Sequence, residues 1–293
     1  MDGGILENIE KLNKIYKNKK ILDEISLEIH KNDCIGILGE NGVGKTTLLK
    51  CIANIVIPDS GTVNINNVSA VLEGNRNIYW RLTLKENVEY FLSLKNVRLK
   101  DVLKSFEEYI NIFNLKNYVN KQVRFLSRGT QQKISIIIAL MQKPELLILD
   151  EPTLGLDVLS KQDLIDVIRK LNMTTDINIL ISSHDLDFIE ELCNRAFILQ
   201  EGKLFEIQKR STLKESTNTF SVYLSEEDLK RNFEDIDILK IDHNKIDIYY
   251  INQKSVLDTL NKIDNHGCTI KKVIINNDNL NNIYKQIIME RGQ

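Results

Sequence analysis

The sequence predicts an α/β fold built around a buried parallel sheet, on the strength of three observations. Segments 34–38 and 146–149 are almost entirely apolar, as strands covered on both faces of a parallel sheet are. The first of them leads into a glycine-rich turn and then a helical pattern. Extended and helical segments alternate up to about residue 208, which is the order of elements in layered α/β proteins.

Composition and net charge limit the classes of protein to which the chain can belong. The chain has 293 residues, of which 42% are hydrophobic and 27% charged, as in an ordinary globular protein with room for one large and one small domain. Its formal net charge of −2 offers no basic field of the kind that holds nucleic acid. We therefore expect no nucleic-acid partner.

Cysteine spacing and hydropathy indicate the compartment. The four cysteines are scattered without C-x-x-C spacing or nearby histidine pairs, so we expect neither a zinc site nor a disulfide framework. No segment has the apolar length of a signal peptide or a transmembrane helix. A cytoplasmic chain that does not itself cross a membrane is expected.

The first 72 residues are predicted to form strands on either side of the glycine-rich turn. Apolar and polar residues alternate over 21–29, as in a strand with one buried face, and a turn is expected at 17–20. A helix is expected over 45–54, followed by a turn at 58–61. Short strands over 62–67 and 68–72 complete this part of the chain.

Apolar spacing becomes helical after residue 84. The pattern predicts an inserted helical lobe over about 84–142, whose last helix covers 128–142 and is stopped by Pro144. A helix over 159–172 and a strand over 177–182 then resume the β/α alternation. Residues 1–208 are therefore expected to form one domain.

Shorter elements after residue 208 predict a second, small α+β domain over 209–293. The expected elements are strand 219–224, helix 226–233, strands 236–242 and 245–251, helix 255–265, strand 270–275 and helix 280–289. The first six have the βαββαβ order of a ferredoxin-like unit. We expect an accessory or regulatory role for this domain.

Residues 39–46 match the phosphate-binding pattern G-x-x-x-x-G-K-[ST] at every fixed position. Its glycines allow a turn whose N–H groups point inward, and the following helix adds its positive N-terminal end. Lys45 is expected to reach the β- and γ-phosphates, and the Thr46 hydroxyl to ligate Mg²⁺. ATP and Mg²⁺ are the expected ligands, with nucleotide contacts from Gly39, Glu40, Asn41, Gly42, Val43, Gly44, Lys45, Thr46 and Thr47.

Two acidic residues end the apolar segment 146–149, where ligands bind in open α/β sheets. Asp150 is expected to hold Mg²⁺. Glu151 is expected to orient the water that attacks the γ-phosphate, or to accept its proton. Two acids at a strand end alternatively cap the next helix, but their combination with the phosphate-binding pattern favours catalysis.

The segment Leu126-Ser127-Arg128-Gly129-Thr130-Gln131-Gln132-Lys133 resembles the signature loop of ATP-binding cassette (ABC) proteins. This resemblance covers about residues 5–208. It implies that Ser127 and Gly129 contact the γ-phosphate held by an opposite subunit, so that a dimer is required. Arg128 and Thr130 stand where the family usually has glycine and glutamine.

Three further segments resemble family motifs. Residues 154–157 resemble the D-loop, which implies a nucleotide contact from Asp157. Residues 182–184 resemble the switch-histidine loop, which implies that His184 senses the γ-phosphate and takes part in catalysis. Tyr16 resembles the aromatic residue that stacks on adenine. A structural histidine and a half-buried tyrosine beside a turn are the respective alternatives.

The loop after strand 68–72 departs most from the family pattern. Glu73 stands where the family usually has glutamine, and its carboxylate is still able to ligate Mg²⁺. Tyr79 and Trp80 follow closely, and such residues are favoured at protein interfaces. The resemblance implies that a membrane permease subunit docks near residues 73–81. Packing of both aromatics inside the helical lobe is the alternative.

The resemblance implies a phosphate-loop, ABC-type nucleotide-binding domain with a layered α/β core, an antiparallel β subdomain and a helical subdomain. We expect an ATPase subunit of an ABC transporter, similar to those of ABC-2-type exporters. It would work as a homodimer on the inner face of the membrane. Two alternatives stay open, namely an ABC ATPase that acts on ribosomes or nucleic acid, and a regulatory or immunity protein that mainly binds ATP.

Overall fold

The chain forms two compact units, Met1–Gln208 and Lys209–Gln293. The structure, a computed structural model, describes residues 5–74, 78–207, 218–225, 227–231, 233, 236, 238–242, 245–250 and 253–276. Within these residues, no helix combines the length and the apolar character needed to span a bilayer.

The first unit follows the expected order of strands and helices up to the strand Asn178–Ser183, and its last three elements, between Leu186 and Ile207, were not predicted. Its elements are β1 (Ile5–Tyr16), β2 (Lys19–His30), β3 (Cys34–Leu38), α1 (Lys45–Ile52), β4 (Ser60–Asn64), β5 (Val68–Val71), α2 (Leu84–Ser93), α3 (Leu103–Ile112), α4 (Arg128–Leu140), β6 (Leu146–Asp150), α5 (Val158–Thr174), β7 (Asn178–Ser183), α6 (Leu186–Leu192), β8 (Arg195–Gln200) and β9 (Lys203–Ile207).

Six strands form the main sheet in the order β5-β6-β7-β3-β8-β9. The pairs from β5 to β8 are parallel, and β9 closes the edge antiparallel to β8. Every residue of β3, β6 and β7 is buried, as the unbroken apolar runs predict. The carboxyl ends of these three strands therefore meet at one edge of the sheet, where the predicted site residues follow them.

A smaller antiparallel sheet has the order β2-β1-β4. The segment over 68–71, which follows it in the chain, instead pairs with β6 in the main sheet. The small sheet and the main sheet share one hydrophobic core with α1. Its buried members extend along the sequence from Ile9 to Leu199.

Helices α2, α3 and α4 make up the helical lobe. Thr83 and Glu86 form a capping box at the start of α2, which satisfies two otherwise unpaired N–H groups. Ser127 caps α4. Residues 134–140 of α4 are all buried, so this helix packs on every side, as helices that are apolar all round do.

The described residues of the second unit form a four-stranded antiparallel sheet and one α-helix. Its elements are β10 (Asn218–Tyr223), β11 (Ile238–Asp242), β12 (Lys245–Tyr250), α7 (Gln253–Asn265) and β13 (Lys272–Asn276). The sheet order is β11-β12-β10-β13, with a core of its own that includes Phe220, Ile246 and Ile263. The helix expected over 280–289 lies outside the described residues.

The helix expected over 226–233 is wrong, because the described residues of this segment, 227–231 and 233, contain a 3-10 turn at Asp228–Lys230 and no α-helix. The Asp228 carboxylate accepts hydrogen bonds from Ser225 Oγ and from the distant Thr269 N–H. Arg231, which is extended, donates to the His266 carbonyl. These tertiary bonds compete with the helical ones that the local pattern favours.

Candidate functional site

The loop between β3 and α1 adopts the backbone that its glycines allow. Gly42 and Gly44 have φ angles of 81° and 118°, which are rare for residues with a side chain. A Cβ atom on Gly44 would lie 2.9 Å from the Ile21 side chain. Gly44 is also the N-cap of α1 and brings no side chain to it. The first N–H groups of α1 therefore remain available to an anion.

Lys45 points its ammonium group into this loop. Its Nζ atom donates to the carbonyl oxygens of Gly39 at 2.7 Å and Glu40 at 3.3 Å. It also lies 3.4 Å from Glu151 Oε1. Only 6% of the residue is exposed, and a buried charge needs such partners.

Asp150 lies directly behind α1, at the end of β6. Its Oδ2 atom accepts a hydrogen bond from Thr46 Oγ1 at 2.9 Å, and Oδ1 accepts one from Ser182 Oγ at 2.5 Å. Asp150 and Ser182 are paired across β6 and β7. A hydroxyl and a carboxylate are thereby brought together as hard oxygen ligands of the kind that Mg²⁺ takes.

Glu151 is held against His184. Its Oε2 atom is 2.8 Å from His184 Nδ1, and its N–H donates to the Ser182 carbonyl oxygen at 3.1 Å. Its φ angle of 46° is uncommon outside glycine, and such strain concentrates at functional sites. Among the described residues, Oε1 is buried without a hydrogen-bond donor, although the Lys45 ammonium is nearby. A water molecule or ligand proton is able to satisfy it.

These side chains surround one cavity of about 460 Å³. Its wall consists of Tyr16, Ile21, Glu40, Asn41, Gly42, Gly44, Lys45, Thr46, Thr47, Glu73, Glu151, Leu154 and His184. Ile21 and Leu154 are wall residues that the sequence analysis missed. Ile21 belongs to an alternating strand pattern that gives no sign of the cavity, and Leu154 was noticed only as part of the D-loop.

Five predicted nucleotide contacts lie off this wall, namely Gly39 and Val43 of the phosphate loop and the more distant Ser127, Gly129 and Asp157. Ser127 Oγ accepts from the Thr130 N–H and caps α4. Gly129 is buried against Ser160, and Asp157 caps α5 by accepting from the Ser160 N–H at 2.9 Å. The hydrogen bonds from Ser160 hold the pKa of the Asp157 carboxyl below its ordinary value. Within one chain, Ser127 and Asp157 cap helices and Gly129 allows close packing.

The aromatic residues after Glu73 are partly on the surface. Tyr79 is 47% and Trp80 50% exposed. The Tyr79 ring packs edge-on against Tyr90, with centroids 4.6 Å apart. The Trp80 carbonyl accepts from the Arg124 N–H, which fixes the backbone at this position. About half of each side chain therefore remains available to a partner.

The fold and the cavity define a phosphate-loop nucleotide-binding protein. The family model described as ABC transporter matches residues 22–154. An uncharacterized ABC transporter ATP-binding protein of Methanocaldococcus jannaschii is 36% identical over 195 residues, which are 67% of this chain and 74% of that protein. This chain belongs to the family of ABC transporter ATP-binding proteins, and it is an ATP-binding subunit of that class.

Other relatives differ in how much of the chain they match. The bacitracin transport ATP-binding protein BcrA of Bacillus licheniformis is 29% identical over 94% of this chain and 95% of its own length. Proteins named for spermidine/putrescine import and molybdate/tungstate import match 68% and 72% of this chain. The solved structure of CbiO1 from Clostridium perfringens, part of an ABC transporter complex, aligns with a TM-score of 0.64 at 23% identity, covering 71% of this chain and 90% of its own.

Proposed function

We propose that this chain hydrolyses ATP with Mg²⁺ and drives export through a separate membrane subunit. The observation that carries the proposal is the convergence of Lys45, Glu151 and His184 on one cavity, with Asp150 hydrogen-bonded to Thr46 behind it. A buried ammonium and a buried carboxylate with a more exposed imidazole in one pocket are the elements of a hydrolytic phosphoryl-transfer site.

The side chains fit ATP and Mg²⁺ by their chemistry. The uncapped start of α1 and the Lys45 ammonium favour the phosphates, while Tyr16, 45% exposed, offers a ring at the cavity edge to the base. Thr46 and Asp150 supply oxygen ligands for the metal ion, and the Glu73 carboxylate on the same wall is a further candidate. When bound, Mg²⁺ neutralises charge that develops on the phosphates.

Each side chain then has one task. Lys45 exchanges its carbonyl partners for phosphate oxygens and stabilises their negative charge. Glu151 Oε1, which lacks a donor among the described residues, accepts a hydrogen bond from the attacking water and orients it. His184 holds the other Glu151 oxygen and, being 52% exposed, is able to contact the γ-phosphate.

The position of the signature residues supports a homodimer. Ser127 and Gly129 lie off the wall of the chain's own cavity, and Ser127 stands at the uncovered start of a helix, where phosphate is favoured. A second copy brought against the cavity would contribute these groups. ATP then closes the dimer and hydrolysis opens it, as a shift between two populated states.

The extent of similarity argues against import and is compatible with export. The match to BcrA spans nearly the whole chain, including the second unit, whereas the relatives named as import proteins match a smaller part of it. We assign an accessory or regulatory role to residues 209–293 and a cytoplasmic, membrane-peripheral location to the complex. The permease is expected to dock near residues 73–81, where Tyr79 and Trp80 are half exposed.

Glu151→Gln tests the proposed reaction. The amide accepts a hydrogen bond but is too weakly basic to take the proton of the attacking water, so ATP turnover should fall by at least about 100-fold, while an ATP-bound dimer accumulates. Steady-state phosphate release and the molecular mass in solution with Mg²⁺ and ATP measure both effects. Asp176→Ala, a change to an exposed carboxylate, serves as the control.

The outcomes separate the alternatives. Unmodified protein that binds ATP but shows no turnover, even with its membrane subunit, would favour a protein that mainly binds ATP. Stimulation of turnover by ribosomes or DNA, and not by a membrane subunit, would favour the nucleic-acid alternative. Either result would refute the proposed role in export.

A further inference from the structure

The start of α4 and the D-loop meet on the surface of the first unit through an unexpected pair of residues. The D-loop is residues 154–157. Arg128, the first residue of α4, places Nη1 3.5 Å from the carbonyl oxygen of Gly155, 27 residues away in sequence. A Cβ atom on Gly155 would lie 2.5 Å from the same Nη1. The guanidinium therefore lies directly over Gly155, whose φ angle of 73° favours glycine.

A second contact joins the same two elements. A Cβ atom on Gly129 would lie 3.0 Å from Ser160 Cβ, so the beginning of α4 packs closely against the first turn of α5. Asp157 accepts hydrogen bonds from the N–H and the hydroxyl of Ser160. Residues 127–129 and the D-loop are consequently held together at two points.

The position of Arg128 is unfavourable for its own helix. The N-terminal end of a helix carries partial positive charge and favours acidic residues, yet α4 has no acid in its first turn and begins with a cation. The Gly155 carbonyl is the acceptor that offsets this placement. Arg128 thus breaks the local preference for an acidic residue at a helix start while it makes a specific contact with a distant residue, Gly155. Such a combination marks a candidate functional position.

Helix α5, which follows the D-loop, is connected to the chain's own Glu151 and His184. Lys161, on the first turns of α5, forms an ion pair with Asp185. Asp185 caps α6 by accepting from the Phe188 N–H at 3.1 Å. It directly follows His184, whose Nδ1 atom is 2.8 Å from Glu151. Contacts thus run from Arg128 through the D-loop and α5 to Glu151.

We propose that Arg128 is a positioning residue that fixes the D-loop to the start of α4, and that this contact couples the two ATP sites of a dimer. ATP held between Ser127 of one chain and the phosphate loop of a second copy would then be sensed at the first chain's own Glu151 and His184. The inference rests on the proposed function, because it requires a dimer with shared sites.

A double-mutant cycle tests the contact. ATP hydrolysis by the full chain is measured against ATP concentration for the unmodified protein, Arg128→Ala, Gly155→Ala and the double variant. We expect Arg128→Ala to lower the Hill coefficient and raise the half-saturating ATP concentration about fivefold. Arg128→Ala should have a smaller effect in the Gly155→Ala background than in the unmodified chain, because an alanine at position 155 displaces the same guanidinium; the backbone strain at its φ of 73° is common to both Gly155→Ala variants and cancels in the cycle.

Two further measurements distinguish positioning from a general structural effect. Binding of a fluorescent ATP analogue to dilute, monomeric Arg128→Ala should equal that of the unmodified chain, as should its unfolding temperature. Arg128→Lys keeps the charge but not the planar fork, so it should resemble Arg128→Ala. Arg98→Ala, which removes an exposed arginine paired with Asp101 in the same lobe, is the matched control and should leave cooperativity intact.

Failure of the inference about Arg128 can be distinguished from failure of the proposed function. Unchanged cooperativity in Arg128→Ala, full rescue by Arg128→Lys, or additive effects in the cycle would each overturn the inference and leave the proposed function standing. So would hydrolysis by the unmodified protein that shows no cooperativity. An unmodified chain without hydrolysis, together with a Glu151→Gln chain that stays monomeric with ATP, would instead refute the proposed function, and the inference with it.

Discussion

Individual residues around the nucleotide cavity serve stability as well as the proposed chemistry. Asp185 accepts from the Phe188 N–H, pairs with Lys161 and follows His184 directly. Partial burial alone would raise the pKa of the Asp185 carboxyl, but the bonds from Lys161 and Phe188 outweigh it and hold the pKa below its ordinary value. The folded state therefore favours the ionised form.

Asp185→Ala should lower the free energy of unfolding by about 1 to 2 kcal/mol at pH 7, because a helix cap and an ion pair are lost together. A depressed pKa stabilises the fold above the unfolded-state value of about 3.9 and ceases to do so as the pH falls through the folded-state value. The difference from the unmodified chain should therefore shrink below about pH 4. Denaturant unfolding between pH 3 and 7 measures it.

The control for this prediction is Asp176→Ala. Asp176 forms a solvent-exposed pair with Lys31, and such pairs contribute less than about 1 kcal/mol. An Asp185→Ala difference that is constant over the whole pH range would show that the carboxylate charge is irrelevant to stability.

The sequence predicts that Lys45 and Glu151 serve one nucleotide site, because each belongs to a motif whose spacing is short and fixed. The contact between Arg128 and Gly155 was not predicted, since it joins the first residue of α4 to the D-loop 27 residues away and depends on how α4 packs against α5. For the same reason Ile21, an ordinary strand residue by sequence, emerges as part of the cavity wall only in the folded chain.

At the scale of elements, strand β3 and helix α6 approach closely on one side of the main sheet. Gly36, in the middle of β3, leaves room for Ile189 of α6, whose Cγ2 atom would lie 2.3 Å from a Cβ at position 36. The phosphate loop follows β3, and His184 precedes α6. The separation of these two elements thus bears directly on the geometry of the cavity.

Gly36→Ala should cost about 1 to 3 kcal/mol of stability through overpacking alone, because Gly36 has an ordinary strand conformation that alanine adopts freely. Ile189→Leu, which removes the branch at Cβ, should restore part of the loss when combined with it. Thermal unfolding of the single and double variants measures both effects. Equal destabilisation with and without Ile189→Leu would contradict this account of the packing.

Buried strands were the elements best predicted from sequence. Strands β3 and β6 begin and end close to the expected residues, because an unbroken apolar run has few alternatives to a covered strand. The 3-10 turn at Asp228–Lys230 was missed, since its bonds to Thr269 and His266 come from distant parts of the chain. Local patterns carry no information on such partners.

For the whole molecule, the proposed transfer of ATP energy to transport requires a surface that binds the permease subunit. Trp80 is half exposed, with Tyr79 beside it and Phe125, 73% exposed, following Arg124, whose N–H binds the Trp80 carbonyl. Exposed aromatic residues grouped in this way are typical of interface anchors. We expect this group to contact the permease.

Trp80→Ala should weaken association with the membrane subunit by about 2 kcal/mol, or about 30-fold in Kd, if the indole is an anchor. ATP binding by the isolated chain should be unchanged. Co-purification and the stimulation of ATP hydrolysis by the membrane subunit measure the effect. Met173→Ala, which removes an apolar side chain of α5 that is 78% exposed, against 50% for Trp80, is the control, and unaltered association in both variants would exclude Trp80 from the interface.

The shared core of the first unit has a consequence for how the protein is made. Its buried members begin at Ile9 and end at Leu199. Strand β1, which is translated first, therefore packs completely only after the residues near Leu199 have been translated. At about 5 to 20 residues per second, some 10 to 40 seconds separate the two ends of this core on the ribosome. During that interval the apolar faces of β1 and β2 lack part of their final cover, which makes the nascent chain a natural client of cellular chaperones.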